Sequence, residues 1–430
     1  MSIKNQPKID FGTDGWRGII ADDFTFPNVY KVTRAIARYL ETAYTKERPV
    51  LIGYDTRFLA DRFAYAAAQA LAEMGWSVKI SQRDCPTPAI AYNARYLEAA
   101  GALMFTASHN PPRYCGIKYI PDYAGPATTE ITEAIVAYLE VSSDESPSGD
   151  RDAQISSFDP KSEYLKFVYS FLDIGRIRSA GLKVKYDARY STSRGYLDEA
   201  LNYCHCQLET FHNTRDVLFG GGLPEVKAEQ LTRLIKAVKQ DQADLGLATD
   251  GDSDRFGIID EQGNAVTPNT VLLVLALHLL NNKGKTGAIV RNMATTHLLD
   301  NLALNYGLEC FETPVGFKYI GQKMRETQVL IGGEESGGVS ILGHIPEKDG
   351  ILANLLVVEA IAYEGKPLSQ LVEEAIKAAN GPLYDRHFDL PLSEHPAAIL
   401  NNWQTNPPVE VAGIKVKTIN QQDGIKLYLE

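Results

Sequence analysis

A repeated pattern of strand, loop, helix and strand is the feature of this sequence that most limits its possible folds. The pattern occurs at 49–80, at 182–212 and at 287–313. In each copy, apolar and β-branched residues give way to apolar residues at helical spacing, and two of the helices stop near Gly75 and Gly307. Strands that alternate with helices are typical of a parallel, right-handed βαβ layout. The alternative interpretation is ordinary α/β periodicity without duplication.

The length and the composition along the chain predict several domains. At 430 residues the chain is too long for one ordinary core. A stretch at 141–160 that is rich in Ser, Asp and Pro is typical of a linker, and further breaks are predicted near 261–269 and 380–391. The predicted domains are 1–145, 155–262, 263–382 and a partial fourth domain over 383–430.

The last predicted domain is expected to be incomplete. Two runs of alternating polarity flank Gln421-Gln422-Asp423-Gly424, which predicts a β-hairpin. Because two strands cannot hold a core by themselves, the hairpin needs further structure to cover it.

The charge of the chain argues against two classes of partner. The formal net charge is −11 at pH 7, whereas nucleic acids and anionic membranes bind basic surfaces. No apolar run approaches the roughly 20 residues of a membrane helix, and no signal peptide is expected at the N-terminus. The five cysteines lack metal-ligand spacing, as in a reducing compartment. We therefore expect a cytoplasmic protein with no nucleic-acid or membrane partner.

One candidate site is a serine in the segment Phe105–Pro112. Apolar residues lead into small polar residues and then into Pro111 and Pro112, which fits a strand that ends in a rigid exposed loop. Ser108 on such a loop is a candidate nucleophile or phosphate carrier. The alternative is a capping turn, in which Ser and Asn side chains satisfy backbone groups.

A second candidate site is a set of three alternating aspartates, Asp250, Asp252 and Asp254. Carboxylates this close repel one another unless a cation holds them together, and oxygen ligands favour a hard ion such as Mg²⁺ or Ca²⁺. An EF-hand is rejected because its sixth position requires glycine and is Arg255 here, and because the flanking residues resemble strands. A solvated acidic turn is the remaining alternative.

A third candidate is the glycine-rich segment 332–338, which carries Glu334 and Ser336. Glycines let the backbone approach a ligand closely, and the Glu and Ser side chains offer acceptors and a donor for sugar hydroxyls. Lys348 follows in a short polar segment. A glycine-rich turn without a ligand would have a similar sequence.

The segment 12–18, spaced by glycines and carrying Arg17, is a fourth candidate that suits either an anion site or a simple turn. A Walker loop is not predicted, because Gly284-Lys285-Thr286 lacks the glycine that the motif needs five residues upstream.

The chain resembles the α-D-phosphohexomutase family, which includes phosphoglucomutase and phosphomannomutase. The resemblance rests on four segments that occur in this order: TDGWRG, TASHNPP, DGDSDR and GEES. The resemblance runs from about residue 10 to the end of the sequence. It implies an α/β fold class, with three similar α/β domains with mixed sheets around a cleft and a fourth α+β domain. This expectation agrees with the repeat.

The resemblance also implies a role for each matching position. Ser108 would carry the phosphoryl group with His109 beside it. Mg²⁺ would be bound by an oxygen on phosphorylated Ser108 together with Asp250, Asp252 and Asp254. The other implied site residues are Arg17, Lys118 and Lys348 around the transferring phosphate, and Arg255, Gly316, Phe317, Glu334 and Ser336 toward the substrate.

The implied reaction interconverts hexose 1-phosphate and hexose 6-phosphate. The seryl phosphate is transferred to one sugar hydroxyl, which gives a hexose 1,6-bisphosphate. This intermediate, which also serves as the activator, reorients in the cleft before its other phosphate is transferred back to Ser108. Such a step requires charge neutralisation and a cleft that excludes water. The segment GHIPEKDG favours a glucose phosphate as the phosphosugar partner, with mannose phosphate as the alternative.

The sequence departs from the family at its end. Members continue into a loop of the form R-x-S-G-T-E-P that holds the non-reacting phosphate, and this sequence stops at Glu430 without such a segment. We expect a fragment or a shortened product, with a raised KM because remote binding energy is lost. Two alternatives to the mutase therefore stay open: a metal-dependent sugar phosphatase, and an inactive protein that only binds phosphosugar.

Overall fold

The computed structural model describes residues 9, 11–12, 15–141, 154–382 and 396–430. Within those ranges the chain forms three α/β domains, each built on one sheet, and a fourth, smaller β-rich unit. No helix in these ranges combines enough length and apolar character to cross a membrane. Three predicted features lie partly outside the described residues. The parts left out are Thr13 and Asp14 of the N-terminal loop, residues 142–153 of the linker predicted at 141–160, and residues 383–391 of the break predicted at 380–391.

The first domain is built on a seven-stranded sheet. Its strands are β1 (Phe11–Gly12), β2 (Gly15–Ile19), β3 (Val50–Tyr54), β4 (Val78–Ser81), β5 (Gly101–Phe105), β6 (Tyr114–Pro121) and β7 (Ile155–Phe158). Its helices are α1 (Phe26–Ala43), α2 (Ala60–Glu73), α3 (Thr87–Tyr96) and α4 (Thr129–Val141). The strand order is β1-β2-β6-β5-β3-β4-β7. This sheet therefore includes β7, which lies inside the predicted linker at 141–160 and inside the predicted second domain.

The second domain has a five-stranded sheet in the order β12-β11-β10-β8-β9. Its strands are β8 (Lys183–Asp187), β9 (Gln207–Phe211), β10 (Leu245–Thr249), β11 (Phe256–Ile259) and β12 (Ala265–Val266). Its helices are α5 (Lys161–Tyr169), α6 (Ile174–Ala180), α7 (Leu197–Tyr203) and α8 (Thr232–Asp241).

The third domain has a four-stranded sheet in the order β14-β13-β15-β16. Its strands are β13 (Ala288–Asn292), β14 (Cys310–Thr313), β15 (Val329–Gly333) and β16 (Val339–Ile341). Its helices are α9 (Pro268–Leu277), α10 (Leu298–Asn305), α11 (Phe317–Glu326), α12 (Gly350–Glu364) and α13 (Leu368–Ala378). Helix α12 begins at an N-cap, Asp349, whose carboxylate accepts hydrogen bonds from two backbone amides.

The fourth unit contains α14 (Pro396–Thr405) and a three-stranded antiparallel sheet of β17 (Glu410–Val411), β18 (Ile414–Asn420) and β19 (Lys426–Leu429). Strands β18 and β19 form the hairpin that the sequence predicts. Apolar side chains of this unit, Trp403 and Val409 among them, are exposed.

The threefold repeat is present in the structure, but the sheets are not purely parallel. The repeated strands pair in parallel, β3 with β4, β8 with β9, and β13 with β14. Each sheet also contains an antiparallel pair: β5 with β6, β10 with β11, and β15 with β16. The parallel pairing predicted for the repeated strands is therefore confirmed, and so are the mixed sheets that the resemblance implies. The antiparallel pairs form because a short loop turns the chain back beside the strand it has just left.

Those three short loops occupy the same topological position and carry three of the four candidate motifs. The loop between β5 and β6 contains Ser108, the loop between β10 and β11 contains Asp250 to Asp254, and the loop between β15 and β16 contains Glu334. One hydrophobic cluster runs through all three domains, which fixes the loops relative to one another.

The fourth unit contacts the third domain through a polar network around Glu312. This carboxylate accepts hydrogen bonds from Arg291 Nη1 and Lys426 Nζ, both at 2.7 Å, and from the Tyr428 hydroxyl at 3.1 Å. Nearby, Asp423 Oδ2 accepts a 2.8 Å bond from the backbone amide of Val315. Although burial opposes ionisation of Glu312, Lys426 and Arg291 lower its pKa to about 2.

We expect Glu312→Gln to weaken this contact at neutral pH. Because the folded pKa lies below the unfolded value, the contribution of Glu312 to stability is present above about pH 4.5 and disappears toward pH 2. Urea unfolding should therefore show the variant to be less stable than wild type at pH 7, with a difference that shrinks as the pH falls below 4.5. The control is Glu309→Gln, at an exposed position beside β14. A difference that does not change with pH would contradict the prediction.

Candidate active site

The three loops meet around the hydroxyl of Ser108. This side chain is 1% exposed, and its Oγ donates a 3.0 Å hydrogen bond to Asp250 Oδ2 of the second domain. His109 Nδ1 lies 3.4 Å from the same oxygen. Gly251 makes the close approach of the two loops possible, since a Cβ there would lie 2.6 Å from the carbonyl oxygen of Ser108. The serine loop and the acidic loop are thus in direct contact, although 142 positions separate Ser108 from Asp250 along the chain.

The serine loop is held by the buried side chain of Arg57. Its Nη1 donates to the carbonyl oxygens of Pro111 and Tyr114 at 2.8 and 3.0 Å, and its Nη2 to those of Ser108 and Asn110 at 2.6 and 2.7 Å. Its Nε is paired with a carboxylate at the end of β3. Ser108 has a φ of 49°, a left-handed conformation that costs a non-glycine residue energy. The guanidinium therefore keeps the loop in a shape that it would not adopt alone.

Replacing Arg57 with lysine should loosen this loop. An ammonium group cannot span four carbonyl oxygens, and disturbing a buried ion pair destabilises a protein by about 3 kcal/mol. We expect turnover in the phosphoryl transfer that the sequence predicts to fall about 10²-fold, because small displacements of a reacting group have effects of that size. Denaturant unfolding, steady-state kinetics and hydrogen exchange of residues 108–114 measure these effects.

The matched control is Arg189→Lys. Arg189 occupies the same position of the repeat in the second domain, and it donates to the carbonyl oxygens of Gln230 and Leu223 instead of to the serine loop. Its replacement should lower stability without faster exchange in residues 108–114. Equal exchange in that loop for both variants would contradict a specific role for Arg57.

The three aspartates form a buried cluster. Asp250, Asp252 and Asp254 are each 0% exposed, and one carboxylate oxygen from each lies within 4.8 Å of the others. Burial and the negative charges of Asp254 and Asp252 raise the pKa of Asp250 well above its usual value. For Asp254 burial acts in the same direction, but Lys118, Lys348 and Arg255 together hold its pKa well below the usual range.

Two lysines from other domains compensate part of this charge. Lys118 on β6 lies 2.9 Å from Asp252 Oδ2 and 3.1 Å from Asp254 Oδ2. Lys348 of the third domain lies 3.1 Å from the same oxygen of Asp254. Both ammonium groups therefore lie beside the Oδ2 atom of Asp254, and Lys118 also lies beside that of Asp252.

The cluster also has the properties of a divalent-cation site. Among the described residues neither Asp252 Oδ1 nor Asp254 Oδ1 accepts a hydrogen bond, although both atoms are buried, and the cationic Arg255 Nε lies 3.9 Å from Asp254 Oδ1. Leaving buried carboxylate oxygens without a hydrogen bond is unfavourable unless a ligand binds to them. An all-oxygen donor set with charge to neutralise fits Mg²⁺. The residues present therefore fit the predicted ion.

The glycine-rich loop of the third domain presents Glu334 toward the same region. Its Oε1 accepts hydrogen bonds from Asn292 Nδ2 at 3.2 Å and from the amide of Gly316 at 3.1 Å. Burial raises the pKa of Glu334, against the opposing effect of Lys348. Gly338 lies directly against the Lys348 side chain, so a Cβ at this position would collide with it.

The remaining predicted residues lie around these groups. Arg17 on β2 donates from Nη1 to Asn110 Oδ1 at 2.9 Å, which places it over the serine loop. Arg255 forms a β-bridge with Gly338, so it joins the acidic loop to the glycine-rich loop. Phe317 begins α11, and its ring centroid is 5.9 Å from Lys348 Nζ. Ser336 is half-buried in the glycine-rich loop.

His109 is a neutral imidazole at physiological pH. Burial lowers its pKa to about 3, and the nearby charges of Arg255 and Arg17 act in the same direction. Its ring can therefore accept as well as donate a hydrogen bond beside Ser108.

Sequence reasoning missed Arg57 and Asn292. A signal for Arg57 was present, since Asp55-Thr56-Arg57 and Asp187-Ala188-Arg189 repeat the same spacing after the first strand of two copies. Asn292 takes the place of the aspartate in the third copy, and it bonds to Glu334 directly. The motifs were visible as D-x-R, but their target loops are remote in sequence.

Comparisons with known proteins agree in covering most of the chain. Family models described as phosphoglucomutase/phosphomannomutase alpha/beta/alpha domains I, II and III match residues 8–145, 162–263 and 267–379. A phosphoglucosamine mutase of Carboxydothermus hydrogenoformans is 31% identical over 378 residues, which cover 85% of this chain and 82% of that protein. A phosphoglucomutase/phosphomannomutase of Thermococcus kodakarensis is 31% identical over 369 residues, or 85% and 80% of the two chains.

A solved structure gives the same picture. The crystal structure of a protein from Thermus thermophilus that carries the name of a phosphomannomutase has a TM-score of 0.86 to this chain at 33% sequence identity. The match covers 98% of this chain and 91% of that one.

Proposed function

The chain belongs to the α-D-phosphohexomutase family of isomerases, and from that premise we propose that it moves a phosphoryl group between O1 and O6 of a hexose through Ser108. The observation that carries the proposal is the 3.0 Å contact between Ser108 Oγ and Asp250. It puts a hydroxyl that can carry phosphate beside a carboxylate cluster that fits a divalent ion.

The residues around Ser108 divide the work of phosphoryl transfer. A divalent ion on Asp250, Asp252 and Asp254 supplies neutralisation of the phosphate charge when it is bound. Phosphorylated Ser108 transfers its phosphoryl group to one hydroxyl of the hexose monophosphate. After the bisphosphate has reoriented in the cleft, Ser108 accepts the other phosphoryl group. Because phosphoryl transfer depends on positioning and electrostatics, buried cations beside the hydroxyl are the main requirement.

The two lysines have different surroundings and therefore different proposed roles. Lys118 is held between Asp252 and Asp254 and acts on charge and on ligand position. Lys348 lies between Asp254 and the glycine-rich loop, against Gly338 and facing the ring of Phe317. We assign to Lys348 Nζ the proton exchange with the attacking or leaving sugar hydroxyl.

The proposed substrate is a glucose phosphate bound by the glycine-rich loop. Glu334 offers a carboxylate, fixed by Asn292 and Gly316, that can accept hydrogen bonds from two neighbouring sugar hydroxyls. Ser336 offers a hydroxyl on the same loop. The relatives carry names for glucosamine, glucose and mannose phosphates, so these three sugars form the set to compare.

The test is isomer formation by the 430-residue chain from glucose 1-phosphate, with Mg²⁺ and a catalytic amount of glucose 1,6-bisphosphate. Parallel reactions use mannose 1-phosphate and glucosamine 1-phosphate, and inorganic phosphate is measured in every reaction. We expect glucose 6-phosphate to form at the highest kcat/KM. Release of inorganic phosphate without formation of the isomer would indicate that the chain is a sugar phosphatase and not a mutase. Substrate binding without either product would indicate a protein that only binds phosphosugar.

A further inference from the structure

The hydroxyl of Thr87 in the first domain lies against a predicted metal ligand of the second domain. Thr87 Oγ1 donates a 2.6 Å hydrogen bond to Asp252 Oδ2, and both residues are 0% exposed. The backbone amide of Thr87 donates to the backbone carbonyl of Asp252 at 2.9 Å. One residue of the first domain therefore fixes both the main chain and the side chain of Asp252.

The two oxygens of Asp252 have different surroundings. Oδ2 accepts hydrogen bonds from Thr87 Oγ1 and from Lys118 Nζ, which lies at 2.9 Å. In the part of the chain that the structure describes, Oδ1 has no hydrogen-bond partner. Two donors on one oxygen fix the plane of the carboxylate and leave the other oxygen without a hydrogen bond. The contact with Thr87 thus decides which oxygen is available to a cation.

The position of Thr87 is set by the start of α3 and by the docking of two domains. Thr87 is the first residue of this helix, and the prolines on either side restrict its backbone. Close by, Asp84 forms a buried ion pair with Arg194 of the second domain. Arg83 Nη2 also donates to the backbone carbonyl of Arg194 at 2.9 Å. The hydroxyl is therefore held in place before any ligand arrives.

We propose that Thr87 is a positioning residue for the divalent ion, so that the metal affinity of the second domain depends on a hydroxyl of the first. The inference rests on the metal site of the proposed function and adds a group outside its ligand set. Groups that orient a metal ligand through a hydrogen bond commonly change metal affinity about 10- to 100-fold when they are removed.

The test compares Thr87→Val with wild type by calorimetric titration of Mg²⁺ into the dephosphorylated, metal-free full chain. Valine keeps the shape and removes only the hydroxyl, and we expect about 10- to 100-fold weaker Mg²⁺ binding. Thr87→Ser restores the hydroxyl and should restore the affinity. If Thr87→Val does not fold, Thr87→Ala provides the same comparison without the branched side chain.

The control is Thr33→Val. Thr33 is also fully buried in the first domain, and its hydroxyl makes no hydrogen bond among the described residues. This variant should bind Mg²⁺ as wild type does.

Two results would overturn the inference without affecting the mutase. One is Mg²⁺ affinity in Thr87→Val within twofold of wild type, and the other is a loss in Thr87→Ser as large as in Thr87→Val. Failure of wild type itself to bind Mg²⁺ would instead remove the metal site of the proposed function, and the inference with it.

Discussion

Ser108→Ala is expected to abolish isomer formation while leaving the fold intact. The variant removes the only atom proposed to carry the phosphoryl group, and loss of a nucleophile in other enzymes lowers kcat by about 10⁴- to 10⁶-fold. Because Ser108 Oγ makes one 3.0 Å bond to Asp250, its removal disturbs little packing. The measurement is glucose 6-phosphate formation, together with mass spectrometry of the protein after incubation with glucose 1,6-bisphosphate.

The matched control for this experiment is Ser81→Ala. Ser81 is buried at the end of β4, where its hydroxyl donates to the backbone carbonyl of Arg83. This variant should keep both turnover and the mass increase of one phosphoryl group. A Ser108→Ala protein that retains more than about 1% of wild-type turnover would show that the phosphoryl group travels by another route, since the expected loss is far larger.

Asp250→Asn is expected to change activity and stability in opposite directions. Turnover should fall about 10³-fold, because the variant takes one charge from the metal site and weakens stabilisation of the transferring phosphate. In the metal-free protein the same change should raise the free energy of unfolding by about 1 to 2 kcal/mol, as is common when a functional site is relieved of repulsion. Denaturant unfolding in a chelator and steady-state kinetics with saturating Mg²⁺ measure the two effects.

The gain in stability follows from the contacts of Asp250. Its Oδ1 accepts from the amide of Arg255 at 3.1 Å, and its Oδ2 accepts from Ser108 Oγ. An asparagine keeps both contacts, since its Oδ1 accepts from Arg255 and its Nδ2 donates to the serine oxygen. What disappears is the burial of a third negative charge beside Asp252 and Asp254, which is also what raises the pKa of Asp250.

The control is an aspartate of the same domain whose two carboxylate oxygens both accept hydrogen bonds. Asp260 is buried and accepts hydrogen bonds from the amides of Gln262 and Asn264 and from the side chain of Asn264. Asp260→Asn should lower the free energy of unfolding by about 1 kcal/mol, because one of these bonds is lost. If Asp250→Asn also destabilises the metal-free protein, repulsion within the acidic cluster does not control the stability of that state.

Much of the local structure could be predicted from the sequence. The repeated strands and helices lie where the periodicity put them, and so do the strands beside Ser108, Asp250 and Glu334. These features depend on neighbouring residues along the chain, since backbone hydrogen bonding sets a period of about 2 or 3.6 that the apolar residues must follow. For the same reason the D-x-R spacing of Arg57 and Arg189 is visible as a pattern without knowledge of its contacts.

The site itself was decided by the tertiary structure. Sequence placed Ser108, the aspartates and Glu334 on three separate loops, and only the antiparallel turn in each sheet and the shared core bring those loops together. The contacts of Arg57 with the serine loop and of Thr87 with Asp252 span 51 and 165 positions. No local period encodes such distances, because they follow from how whole domains pack against one another.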